Sequence, residues 1–82
     1  MADYEGSASS QFRELIRYER GWEVRVYQLR IAASGAELWR VTESADRETT
    51  AVKEADVKSI EDTLELLADI KRALIAGGWR EL

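Results

Sequence analysis

The longest regular pattern in the chain lies near its C-terminus. Between residues 60 and 76, apolar residues recur at helical spacing: Ile60, Leu64, Leu66, Leu67, Ile70, Ala73, Leu74 and Ile75. Ser59 stands where an N-cap belongs, and Asp62 three residues on comes close to a capping box. Glu61 and Asp62 fall in the first turn and Lys71 and Arg72 towards the end, the order the helix macrodipole favours. Gly77 and Gly78 offer a left-handed stop, after which Trp79 can fold back onto the last turn. The spacing predicts a helix over 60–76. Its apolar arc spans roughly 200°, whereas a helix lying on a sheet needs only somewhat more than about 100°. The excess points to a second burial surface, either an N-terminal helix or another copy of the chain. Lys71 falls inside the arc, where its stem can pack while the ammonium reaches water.

Upstream the period drops to two. Residues 22–31, WEVRVYQLRI, are rich in aromatic and β-branched side chains and read as a strand. The alternation holds for Trp22, Val24 and Val26 and then shifts to Tyr27, Leu29 and Ile31, which predicts a bulge or bend near Val26–Tyr27. Ala33, Ser34 and Gly35 supply a turn, and residues 37–43 form a second strand with Trp39 and Val41 on one face. Residues 44–49 are a polar loop. Residues 50–54 fit a third strand at the sheet edge, guarded by Lys53 and Glu54.

Residues 10–19 can be read in two ways. Phe12, Leu15 and Ile16 share a helix face, with Ser9 or Ser10 as N-cap, whereas Phe12, Ile16 and Tyr18 fit a strand ending at an Arg20–Gly21 turn. A short helix is the favoured reading. Residues 1–9 are small and polar and read as a frayed tail, leaving 10–82 as one domain. The expected fold class is α+β: a small antiparallel sheet of two to four strands, a long C-terminal helix across one face, and a short N-terminal helix. Were residues 12–19 a strand, the order would be a four-stranded meander followed by a helix. In layout only, that resembles the dimeric single-strand DNA-binding coactivator domains.

Composition narrows the function. A chain of 82 residues buries only a little over half of its unfolded surface, so small scaffolds lean on disulfides, a metal or self-association. Cysteine and histidine are both absent, which removes disulfides, thiolate sites and the commonest transition-metal ligand. The 45% hydrophobic share suits a folded chain. There is no apolar run of membrane-spanning length and no signal-peptide pattern, so the expected location is the cytoplasm and no membrane partner is foreseen. The net charge of −4 is uneven. Residues 11–42 carry six arginines against four glutamates, and residues 43–82 carry ten acids against six bases.

Catalytic chemistry finds no foothold. Ser–His and Cys–His arrangements are impossible, and neither a nucleophile elbow, a serine–lysine motif nor a phosphate-binding glycine loop occurs. Glu43, Asp46 and Glu48 are the nearest approach to a hard-metal site, without calcium-loop spacing or its turning glycine. No catalytic residue, metal ligand or cofactor is therefore expected. The favoured function is a non-enzymatic protein-binding or regulatory module acting through surface recognition, as a homodimer. Its candidate interface is Leu66, Ile70, Lys71, Leu74 and Trp79. The acidic stripe Glu61, Glu65 and Asp69 on the opposite helix face reads as solvated surface or as a contact for a basic partner. The alternative is a single-stranded nucleic-acid-binding domain in which Arg20, Arg25, Arg30 and Arg40, interleaved with aromatics, meet phosphates while rings stack on bases. Against it, the arginines can pair with Glu14, Glu19, Glu23 and Glu37, with Trp22, Tyr27 and Trp39 in the core.

Overall fold

A computed structural model describes residues 12–33 and 35–82. Among these, the chain runs β1 (Phe12–Arg20), β2 (Glu23–Ala32), β3 (Gly35–Glu43), β4 (Thr49–Val57), α1 (Ile60–Ala76) and β5 (Arg80–Glu81). All strand pairs are antiparallel, and the sheet order is β4-β3-β2-β1-β5. The α+β class with one antiparallel sheet and a C-terminal helix is as expected, but the sheet has five strands, one more than the range foreseen. The expected tail, residues 1–9, lies outside the described residues.

The short N-terminal helix is not formed over the described part of that segment, where residues 12–20 are β1; residues 10 and 11 lie outside the described residues. Ile16 and Tyr18 explain why. Two residues apart, they sit about 200° apart on a helix but on the same face of a strand. Only the strand buries both, and it also pairs its backbone with β2 on one side and β5 on the other. The turn to β2 is the two-residue loop Gly21–Trp22. Gly21 has φ 58°, as a glycine at the first central position of a type II′ hairpin turn requires. Trp22 is thus at the hairpin tip rather than inside a strand.

The bulge also lies elsewhere. β2 pairs with β3 in unbroken register, and the irregularity is in β1, between Glu14 and Ile16, opposite Tyr27 and Gln28. The phase shift in β2 reflects apolar residues on both of its faces. Val24 and Val26 point to the open side, Tyr27, Leu29 and Ile31 to the helix side. A second irregularity falls in β4, which runs to Val57, further than its predicted end, and forms the sheet edge.

α1 covers residues 60–76 as the spacing predicts. The Ser59 hydroxyl accepts from the Asp62 amide at 3.1 Å. At the other end Gly78, φ 88°, takes the left-handed conformation; its amide donates to the Ile75 carbonyl, and that of Trp79 to the Leu74 carbonyl at 2.9 Å. This is a Schellman stop, and Trp79 against Leu74 supplies its hydrophobic contact. No basic residue of α1 lies in its last turn. Instead Arg20 of β1 reaches across, donating from Nη1 to the Gly77 carbonyl at 3.1 Å.

α1 starts beside the end of β4 and finishes over the end of β1, so it crosses the sheet diagonally. Beneath it lie Ile16, Tyr18, Tyr27, Leu38 and Val57, closed by Leu67, Leu74 and Trp79. Tyr18 and Leu38 have no accessible surface. The Tyr18 hydroxyl is buried without a hydrogen-bond partner, a cost of about 1–3 kcal/mol for such a group. Tyr18→Phe is therefore expected to raise the unfolding free energy by about 1 kcal/mol in urea titrations. Burial pushes the Tyr18 phenol upward, helped by nearby Glu81, and burial does the same for Tyr27. Both phenols stay neutral longer in the folded chain than in the unfolded one. The stability they contribute is fully present below the ordinary tyrosine range, near pH 10, and is lost as pH rises through the raised folded values. Tyr18→Phe should flatten part of that alkaline loss.

Candidate functional site

Strand parity separates the residues into two surfaces. The side away from α1 presents Glu14, Arg17 and Glu19 of β1, Val24, Val26, Gln28 and Arg30 of β2, Glu37, Trp39, Val41 and Glu43 of β3, and Lys53 and Asp56 of β4. Opposite charges pair across it. Arg17 holds Glu14 at 2.9 Å, Lys53 bridges Asp56 at 2.8 Å and Glu37 at 3.6 Å, and Arg80 pairs with Glu19. The Arg17 hydrogen bond holds the Glu14 carboxyl below its usual range, and the bond to Asp56 holds the Lys53 ammonium above its own. Arg30 stacks on Trp39, 4.2 Å from the ring centroid, and the Trp39 indole donates to Glu37 at 2.9 Å.

The four candidate nucleic-acid arginines are not brought together. Arg30 is on the open side. Arg20 and Arg25 lie on the helix side, with guanidiniums 4.6 and 4.4 Å from the Trp79 ring centroid. Arg25 also donates to the Thr42 hydroxyl at 3.3 Å. Arg40, likewise on the helix side, is within 3.8 Å of Glu54. Three of the four therefore clasp the helix end or the edge strand.

The candidate protein interface is divided as well. Leu74 and Trp79 belong to the core, Leu66 and Ile70 are half-buried against it, and Lys71 is half-buried on the helix flank. The exposed apolar positions of α1 are its neighbours around the axis: Ile60, Leu64 and Ile75 retain 79%, 61% and 65% of their surface. At about 100° per residue they lie between roughly 30° and 90° from the direction that buries Leu67 and Leu74. This flank overlooks the corner of the sheet that the diagonal helix leaves bare. There Phe12, Leu15, Leu29 and Ile31 join Ile60, Leu64 and Leu67 around a groove of about 470 Å³, with Arg13 and Thr63 at its rim. A shallower extension passes between Ile60, Val57 and Gly35. Phe12, Ile31, Ile60 and Leu64, which line this groove, are not among the interface residues expected from the sequence. The width of the apolar arc was the signal, because an arc of roughly 200° has two flanks.

Among the described residues Trp22 is the other exposed aromatic, 85% accessible at the β1–β2 tip rather than in the core expected for it. Glu43, Asp46 and Glu48 do not gather. Asp46 instead accepts from the Ser44 hydroxyl at 2.7 Å and the Glu48 amide at 3.1 Å, pinning the β3–β4 loop, and both bonds hold its carboxyl below the usual range. Among the described residues no group of three metal-ligating side chains occurs, and no helix is long and apolar enough to cross a membrane. Comparison with protein-family models, with curated proteins and with solved structures gives no match to this chain.

Proposed function

We propose that this chain is a small non-enzymatic protein-recognition module that works as a homodimer, joined through the exposed flank of α1 and the apolar groove beside it. The observation that carries this reading is the contiguity of the exposed apolar groups. Ile60 and Leu64 continue directly into a groove floored by Leu29 and Leu67 and walled by Phe12 and Ile31. Single apolar residues on a surface are ordinary, but a connected patch joined to a groove is the mark of an interaction site. A second copy is the natural occupant for a domain this small, which gains from association the burial its own core lacks.

The nucleic-acid reading finds less support. Its open sheet side carries Arg17, Arg30, Lys53 and Arg80 against Glu14, Glu19, Glu37, Glu43 and Asp56. A surface with no cationic surplus gives little counterion release and so little driving force for phosphate binding.

Sedimentation across a wide concentration range tests the proposal. The native chain is expected to sediment as a dimer, and Leu64→Glu to weaken association at least about 100-fold, the scale set by placing an unpaired charge in an apolar contact. Leu64 is largely exposed in the single chain, so the variant should keep its fold by circular dichroism. A native chain that stays monomeric at millimolar concentration would remove the homodimer.

A further inference from the structure

The charge pattern along the exposed flank of α1 fixes how two copies meet. We propose that the helices pack antiparallel about a two-fold axis at Ala68, so that Ile60 of each copy covers Ile75 of the other and Glu65 faces Arg72. This rests on the homodimer reading and specifies its geometry.

The positions along the helix carry the argument. Ile60 lies about 12 Å before Ala68 and Ile75 about 11 Å after it, at 1.5 Å per residue. Reversing one helix about Ala68 therefore sets the two most exposed apolar side chains at the same level. Leu64 meets the stem of Lys71 in the same way, each about 5–6 Å from the centre. Ala68 is exposed and small, and at the crossing point it allows the closer end of the 8–10 Å range of helix separations.

Charge selects this direction over the parallel one. The outer border of the flank is acidic in its first half, Glu61 and Glu65, and basic in its second, Arg72. Among the described residues neither glutamate has an ion-pair partner within the chain, while Arg72 holds only Asp69, both of them highly exposed. An exposed pair of that kind contributes little, so Arg72 can turn across the interface at small cost. Antiparallel packing sets Glu65 opposite Arg72 twice, whereas parallel packing sets Glu61 and Glu65 beside their own copies. The arrangement is isologous and closes at two chains. The alternative contact, β4 edge to β4 edge, is disfavoured by the irregularity at Lys53–Ala55 and by Lys53 on that edge.

The chain has no cysteine, so single introduced cysteines report distances directly. Ala68→Cys should form a disulfide-linked dimer rapidly under mild oxidation. Ile75→Cys should not link to itself, its two copies lying roughly 20 Å apart, but should link when mixed with Ile60→Cys. Glu65→Arg and Arg72→Glu should each weaken dimerisation by about 10-fold, and the double variant should recover most of the loss. All these positions are exposed, and circular dichroism checks that each variant folds. A dimer that links at Ile75→Cys alone, or at Val52→Cys on the β4 edge but not at Ala68→Cys, overturns this geometry and leaves the homodimer standing. A chain monomeric in sedimentation removes both.

Discussion

Trp79→Ala is expected to lower the unfolding free energy by about 3–5 kcal/mol, the range for removing a buried tryptophan from a core. A domain of this length has a total of about 5–10 kcal/mol, so the variant should be partly unfolded near 37 °C. Three contributions meet in the one side chain. Trp79 retains 6% of its surface and closes the core over Leu74. It is the apolar half of the Schellman stop, whose amide bond to Leu74 fixes the chain reversal after α1. Its ring also receives Arg20 and Arg25, and Arg20 is the residue that caps the Gly77 carbonyl. Loss of the ring should therefore free both arginines and loosen β5, which pairs with β1 only through Arg80 and Glu81. Urea unfolding followed by circular dichroism gives the size of the effect. Trp79→Phe should recover more than half of it. A loss under about 1 kcal/mol for the alanine variant would mean that the ring only lies against the helix end and that the core closes without it.

The helix was legible in the chain to the residue, because cap, stop and apolar period agree over residues 59–78. The hairpin of β2 and β3 was legible for a similar reason, with two β-rich runs around a glycine turn. β1 was misread because nine residues can place three apolar groups at either period. What decides is Tyr18, which only a strand carries to the same side as Ile16. β5 could not be read at all: two residues, Arg80 and Glu81, carry no period, and their pairing exists only because the Schellman turn aims them at β1.

The candidate site was half legible. The arc of α1 is wider than the sheet face covers, and Ile60, Leu64 and Ile75 are the part left exposed. Which part of the arc faces the sheet depends on the diagonal course of the helix, and that is a property of the assembled fold. Leu74 and Trp79 consequently went to the core while Ile60, Leu64 and Ile75 stayed outside. The scattering of the arginines, by contrast, was partly within reach of the sequence. Arg25 and Arg30 are five residues apart in one strand, so they must point to opposite sides of the sheet. Five is odd, and that parity alone splits the proposed basic face.

Leu38→Ala and Val41→Ala, compared in one experiment, test which side of the sheet is the interior. Both residues are central in β3, three apart, and so face opposite ways. Leu38 has no accessible surface and lies among Tyr18, Tyr27 and Leu67, so its truncation should cost about 3–4 kcal/mol through lost burial and the cavity left behind. Val41 pairs with Val26 and Ala51 on the open side, where it is only half-buried, and its truncation should cost about 1 kcal/mol. The comparison also bears on the homodimer. The proposed association through α1 would leave the open sheet side in water, so on that proposal the Val41→Ala cost should not change with protein concentration. A cost near that of Leu38→Ala that grows as the chain is concentrated would mean that a second copy covers Val41. In that case the dimer contact would lie on the sheet, and the groove beside Leu64 would be left without its occupant.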